Sequence, residues 1–568
     1  MNTKPILRCV AAAFAALAAL ACSKDDAANP ETPDASGAPA PYTITATMDE
    51  APETRVAASD DGSSKIELKW KTGDQIYVIN GNGTSETLYT FKIGTISADG
   101  KTASFTAPAG YDGTPAYAFH NGSGRINVFN PAGISPFNSA YQTAASSLPD
   151  IFPLYAVYDS QARQLKFKPF FAVLKFNVTL PEGASGTLSR LRIGSKDGSE
   201  IFYGSAYDIT SGEAVRTGSS MANNIIRTGG SSFSGNTEKS VYLPFSPGTE
   251  LIGKELEIDL LVGTSVYTAT VKGAKLEAGK CYPLTLGAAK WTVRKIYEGG
   301  TGDAETPYEI ANESNLQALA RAVRTGERYS SKYFRLTGDI SGIQTSAAEP
   351  WLPIGAGYSF GGHFDGNGKT VGGTFHLADK DGTHLGFFGY CNTISDLTLE
   401  GDVIYRGSGN PYTLYLGGIA GYCSGEISGC THKEALTAQN TEAKTVYAGG
   451  IAGYTSKNIT GCTRSGGTIS VNMPNASLSV GGIAGKLYGS STVMHTCYNA
   501  SSITATGAFV YVGALVGNNT GTVYGCSTFP DNLTVTVNGT LQNSVKAIGI
   551  GSSGHNVPQP CPDNHTAR

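Results

Sequence analysis

At 568 residues the chain is too long for one hydrophobic core and is expected to divide into about two to four domains. Charged residues are only 15%, glycine is abundant (72) and tyrosine (29) far outnumbers tryptophan (3), a mixture that suits sheets and turns and excludes a helical bundle. A net charge of −4 gives no basis for nucleic-acid binding, and no apolar run after residue 22 is long enough to span a bilayer.

In chain order, residues 1–22 read as a targeting segment, with Lys4 and Arg8 as a basic start and Val10–Ala21 as a short apolar run. Ala19-Leu20-Ala21-Cys22 resembles a lipobox, which implies that Cys22 is lipidated and becomes the first mature residue. Ser23-Lys24-Asp25-Asp26 resembles the Lys-acidic-acidic export signal of Bacteroidetes surface lipoproteins, which implies display on the outer membrane. Residues 23–41 are small, polar and proline-rich and serve as a tether.

Alternation of period two governs residues 42–290. Ile66, Leu68 and Trp70 alternate with polar residues, Thr72-Gly73-Asp74 turns the chain, and Ile76 and Val78 resume the pattern. Ala172, Leu174, Phe176, Val178 and Leu180 predict a one-sided strand, and Leu256–Val262, Gly263-Thr264 and Val266–Val271 predict a hairpin. Short strands broken by Gly and Pro turns point to antiparallel sandwiches, here two lobes meeting near 180–185. Thr54-Arg55, Trp70-Lys-Thr-Gly73-Asp74-Gln-Ile76, Lys166–Lys175 and Leu276-Glu-Ala-Gly279-Lys280-Cys-Tyr282, in this order, resemble Mfa-like fimbrillin proteins. That resemblance implies paired β-sandwich lobes used in surface pili, with other fimbrial subunits as partners. It also implies cleavage after an arginine, placed here at Arg55, followed by exchange of the first strand between subunits, which is strand addition to an exposed sheet edge. An exposed loop arginine with no such role is the plain alternative for Arg55.

Residues 291–345 form a connector with a helix over Glu313–Arg324, in which Leu316, Leu319, Ala320 and Val323 share one face and Gly326 ends the helix. This helix is expected to cap the repeat region that begins at 346. From 346 to 553 glycine recurs at 357, 389, 421, 453, 485, 517 and 549, always 32 apart, and Gly-Gly-Ile-Ala-Gly recurs at 417, 449 and 481. Leu414, Val446, Leu478 and Val510 form one column, Leu416, Ala448, Val480 and Val512 a second, and Tyr415, Tyr447, Ser479 and Tyr511 lie between them. Inward, outward, inward on successive coils predicts a parallel β-helix with one coil per 32 residues and glycines at corners where a side chain would clash. The motif resembles the GLUG repeat of large bacterial surface proteins. Residues 554–568 are a tail.

The fold class expected is therefore all-β: fimbrillin-like antiparallel sandwich lobes, then a parallel β-helix capped by a short helix. Cys391 and Cys423, and Cys430, Cys462 and Cys526, keep the 32-residue register, with Cys497 displaced and Met494 in its column. These read as small buried residues or disulfides, not as a zinc pattern. Two tyrosine columns, Tyr358, Tyr390, Tyr422, Tyr454 and Tyr415, Tyr447, Tyr511, offer stacked rings for a glycan, or else stabilise the coils directly. Asp365-Gly366-Asn367-Gly368 reads as a tight turn rather than a calcium loop. Asp402 and Glu434 are a lone carboxylate pair 32 apart, and no nucleophile elbow, HExxH or phosphate loop is present. No cofactor, metal site or enzymatic activity is expected. The reading is a surface lipoprotein adhesin that binds host, microbial or polysaccharide ligands through the β-helix. A pilus subunit and a polysaccharide-degrading enzyme are the rivals.

Overall fold

The computed structural model describes residues 42–48, 69–80, 88–121, 153–170, 172–199, 251–378, 380, 382–528, 534–542 and 546–551, with short strand pieces between 127 and 144 and parts of 202–248. The signal segment with Cys22, the tether, Ile66, Leu68, Arg55 and the tail at 554–568 lie outside the described residues. The structure is all-β, with 57% strand and one α-helix among the described residues, and includes a parallel solenoid of about six turns between residues 333 and 548.

The first lobe goes further than an open sandwich. Strands Thr43–Met48, Gln164–Pro169, Pro153–Asp159, Pro115–Asn121, Gln75–Asn80, Leu88–Ile96 and Thr102–Thr106 close into a barrel, so no edge is left open. Every pairing is antiparallel except that of Thr43–Met48 with Gln164–Pro169. Trp70 plugs the core against Phe105 and Phe167 (ring centroids 4.8 and 5.3 Å). Its turn works as expected, with Gly73 at φ +94° and the Asp74 carboxylate accepting from the Lys71 N–H at 2.7 Å.

Phe170 packs with Ile79, Phe119 and Tyr155 in a small cluster of its own, and Val173 is still buried in the barrel core. The strand Ala172–Thr179 belongs to the second lobe, where Phe176, Val178 and Leu180 are buried with Leu243, Ile258 and Leu260. It lies between Glu238–Phe245 and, in parallel, Cys281–Leu286. The opposing sheet is built on Ser185–Ser195, Glu255–Val262 and Ser265–Lys272, the last two forming the expected hairpin.

A plug joins this lobe to the solenoid. The helix spans Glu313–Arg324 with Asn312 as its N-cap, accepting from the Asn315 N–H at 3.0 Å, and Gly326 at φ +91° follows its end. Leu316, Leu319, Ala320 and Val323 are buried in the solenoid's core cluster, which also takes Leu261 and Val266 from the second lobe. The expected cap is thus shared by two bodies. Arg192, fully buried, reaches Asp259 (2.8 Å) and Glu257 (3.1 Å), and Arg321 of the helix reaches the same two carboxylates (3.0 and 2.8 Å). Burial alone would raise the Glu257 carboxyl, but Arg321, Arg192 and Arg324 together hold it well below the usual range.

In the solenoid one long sheet contains Phe388–Ser395, Ala420–Cys423, Ala452–Thr455, Ala484–Leu487 and Val516–Asn519. The other contains Thr398–Arg406, Thr413–Gly417, Thr445–Gly449, Thr468–Gly481 and Ser502–Gly513. The predicted columns are in register: Leu414 with Val446, Leu478 and Val510, and Leu416 with Ala448, Val480 and Val512. The glycine corners are imposed by contact and not by φ. A Cβ on Gly417, Gly449, Gly481 or Gly513 would lie 1.9–2.1 Å from the carbonyl oxygen three residues ahead. One on Gly421, Gly453 or Gly485 would lie 2.3–2.4 Å from a backbone nitrogen of the preceding coil.

Gly449→Ala is accordingly expected to lose at least about 2 kcal/mol in chemical denaturation. Gly338→Ala, where a Cβ meets nothing within 4 Å, should stay within about 0.5 kcal/mol. Removing the Asp259 carboxylate as Asp259→Ala leaves Arg192 and Arg321 only Glu257 of their two shared carboxylates and should cost about 3–5 kcal/mol by the same measurement. Because the folded Glu257 carboxyl lies below its unfolded value, its contribution is complete above the ordinary glutamate range (~4.3) and is lost as pH falls below it. Denaturation midpoints recorded from pH 7 to pH 3 should therefore fall chiefly below pH ~4.3, and Glu257→Gln should flatten that fall.

Candidate binding face

Each Gly-Gly-Ile-Ala-Gly corner ends a strand of one sheet and starts a strand of the other. Tyr415 lies two places before the corner and Tyr422 one place after it, so both rings border the same edge. The two predicted tyrosine columns therefore merge into one wall. Along one column His384 stacks on Tyr415 (4.9 Å, 6°) and Tyr415 on Tyr447 (5.7 Å, 18°). Along the other Tyr390 meets Tyr422 (4.6 Å) and Tyr422 stacks on Tyr454 (4.6 Å, 12°). Edge-to-face contacts of Tyr415 with Tyr422 (5.6 Å) and Tyr454 (5.5 Å) tie the columns together.

The wall continues at Lys486, which pairs with Tyr454 on the next coil and holds its ammonium 4.9 Å from the Tyr447 ring, 5.7 Å from Tyr454 and 5.3 Å from Tyr488. Tyr488 is half exposed, whereas Tyr390, Tyr415, Tyr422, Tyr447 and Tyr454 keep only part of each ring in solvent. Burial pushes the Tyr415, Tyr422 and Tyr454 phenols up, and burial lowers the His384 imidazole. Lys486 is the only lysine or arginine against these rings among the described residues.

Two of the predicted residues stand apart. Tyr358 is not in the column, because the Tyr390 N–H donates to the Gly355 carbonyl and the next strand begins at Phe360; the Tyr358 ring faces the Arg328 guanidinium instead (5.9 Å). Tyr511 pairs with Ser479, which separates it from Tyr447 by one ringless coil. His384 and Lys486 were missed by sequence reasoning. Lys486 stands 32 residues after Tyr454, so the spacing alone marked its place, whereas its chemistry broke the tyrosine pattern.

Behind the wall, the second glycine of each corner makes room for a buried polar ladder that the sequence reading also missed. A Cβ on Gly418 would meet His432 Nδ1 at 2.0 Å, one on Gly450 would meet Arg464 Cδ at 2.7 Å, and one on Gly482 would meet Asn499 Nδ2 at 2.1 Å. His432, Arg464 and Asn499 follow one another in register and are fully buried. His432 lies 3.0 Å from both the Gly450 and Gly401 carbonyl oxygens, Arg464 donates to the His432 carbonyl at 2.9 Å and to that of Glu434, and Asn499 donates to the Ala514 carbonyl at 2.8 Å. Burial, with Arg464 alongside, holds the imidazole at about 3, and burial lowers Arg464 to about 10, so the ladder's charge at neutral pH is the guanidinium. The ladder occupies backbone carbonyls inside the solenoid and is fully buried.

Cysteine order also differs from expectation. Thr463 pairs with Tyr498 and Tyr498 with Ser527, so Cys430, Cys462, Cys497 and Cys526 are consecutive rungs, and Met494 continues the Ile459 column. Three extra residues near Tyr488–Ser491 shift the count, not the rung. All seven described cysteines are free thiols. Asp402 does not face Glu434: one added residue puts Ala435 opposite, and its N–H donates to the Asp402 carboxylate at 3.0 Å. Asp365–Gly368 is the tight turn expected, with Asn367 and Gly368 at φ +53° and +67° and the Asp365 carboxylate held by Arg335 (2.8 Å). Among the described residues no cluster of three or more His, Cys, Asp or Glu could hold a metal, and no helix is long and apolar enough to cross a membrane.

No family model and no curated protein matches the chain. Among solved structures it is similar to a candidate cell adhesion protein from Bacteroides ovatus (17% identity, 45% of this chain and 95% of that one, TM-score 0.28). It is also similar to a candidate cell adhesion protein from Bacteroides fragilis (12% identity, 46% of this chain and 99% of that one, TM-score 0.27). Both likenesses are too slight to carry a fold or a function across.

Proposed function

We propose that the chain is a surface-displayed adhesin, lipid-anchored to the outer membrane through Cys22, whose solenoid binds a glycan along its tyrosine wall. The observation that supports this most is the continuity of the wall. Rings from successive coils, 5.7 Å apart at Tyr415–Tyr447 and 4.6 Å at Tyr422–Tyr454, present one aromatic strip that ends in a cation. Sugar rings pack by their apolar faces on such strips, and the rigid stack fixes the spacing in advance of binding. Glycan-array binding should be lost or weakened at least about tenfold, or ~1.4 kcal/mol, in the double variant Tyr422→Ser, Tyr454→Ser. Circular dichroism must show the variant folded. Undiminished binding by the folded variant would make the wall a purely structural ladder.

A pilus subunit is the second reading, and one observation favours it. Thr43–Met48, the strand just upstream of Arg55, buries Ile44, Ala46 and Met48 between Thr102–Thr106 and Gln164–Pro169, which do not pair with each other. Its departure would open a groove that another copy's strand could fill. Sheared surface fibres containing this chain with an N-terminus at Val56 would support polymerisation. Retention on the cell with lipidated Cys22 as first residue would argue against it.

A further inference from the structure

Away from the wall, a cleft of about 310 Å³ lies between the second lobe and the first coils of the solenoid, at the lower end of the ~300–1,000 Å³ common to small-molecule sites. Lys196 and Arg294 come from the lobe, Gln317 and Arg321 from the helix, and Gln344 and Lys380 from the solenoid, with Trp351 among the lining residues. Four cations thus face two carboxylates, Glu257 and Glu349. Glu257 is already matched by Arg192, Arg321 and Arg324 (3.1, 2.8 and 3.6 Å), and Glu349 is exposed.

The charge left over centres on Arg294. Its side chain makes no ion pair or hydrogen bond among the described residues, although the residue is only partly exposed and lies near Arg321. Burial and that neighbouring guanidinium lower its pKa, and Asp259, Glu257 and Glu313 offset this only in part. The Lys196–Glu255 pair (3.1 Å) is more than half exposed on both sides and does little to neutralise the cleft. Lys380 donates to the Lys196 carbonyl at 3.1 Å, which ties the solenoid loop to the lobe across the cleft.

We infer that this cleft binds a carboxylated sugar, with the planar Arg294 guanidinium taking the carboxylate and the Gln317 and Gln344 amides and Glu349 taking hydroxyls. A guanidinium fork matches a carboxylate with two parallel hydrogen bonds. Gln317 already donates to Glu313 (2.7 Å), which turns its amide oxygen toward accepting. The exposed Glu349 carboxylate suits a hydroxyl donor and opposes a doubly charged phosphate more than a singly charged carboxylate. The site does not rest on the tyrosine wall.

Isothermal titration of the full chain with digalacturonate, with its neutral counterpart galactobiose and with inorganic phosphate tests the assignment. Digalacturonate is expected to bind at least tenfold tighter than galactobiose and not to be displaced by phosphate at equal concentration. Arg294→Gln should weaken it tenfold or more with an unchanged denaturation midpoint, while Tyr422→Ser leaves it unaltered. Should Arg294→Gln fail to fold, Lys380→Gln at the rim serves instead, with a several-fold loss expected. No heat with digalacturonate at millimolar concentration, equal affinity for galactobiose, displacement by phosphate, or indifference to the folded variant would each overturn the assignment.

Discussion

The C-terminal half rests on one contact, the approach of backbone to backbone at the Gly-Gly-Ile-Ala-Gly corner. Each coil can sit on the next only if the strand arriving at Gly417, Gly449 or Gly481 passes within contact distance of the carbonyl three residues on. That closeness sets the coil's cross-section, and the cross-section sets the register of every column. Leu414 lands on Val446, and Tyr415 on Tyr447, because the corners beneath them are identical. The same corner also turns Tyr415 and Tyr422 to a common edge. The wall is thus a by-product of the geometry that closes the coil, with side chains chosen to use it.

Where the solenoid begins, the constraint changes character. An open first coil would expose apolar side chains and unpaired strand edges. Leu316, Leu319 and Val323 cover those side chains, and the helix meets the second lobe through Arg321 and Arg324 on its flank. Apolar burial holds the helix to the solenoid, and buried charge orients it on the lobe. Two carboxylates there face three guanidiniums, so neither body presents a complementary surface without the other. The lobe and solenoid are joined by chemistry that a flexible tether would not supply.

Much of this was legible in the sequence, and the failures have physical causes. The helix Glu313–Arg324 and the hairpin at Gly263-Thr264 are local, and period and turn chemistry announced both. The inward and outward columns repeat at a fixed step and needed no long-range information. Barrel closure was hidden because Thr43–Met48 pairs with Gln164–Pro169, more than 100 residues away, on no local signal. Cys497 was read as displaced because counting residues ignores the longer turn at Tyr488–Ser491, which lies between strands and leaves the stack in register. His432, Arg464 and Asn499 share a column but not a residue type, so a search for similarity passes over them.

The position of Thr43–Met48 has a mechanical consequence. This strand is hydrogen-bonded along both edges and is the first strand among the described residues. A pull along it loads those bonds side by side in shear, so they must fail together instead of unzipping one at a time. The barrel would then behave as a clamp under tension, and cutting the chain behind the strand would change the clamp into a removable wedge.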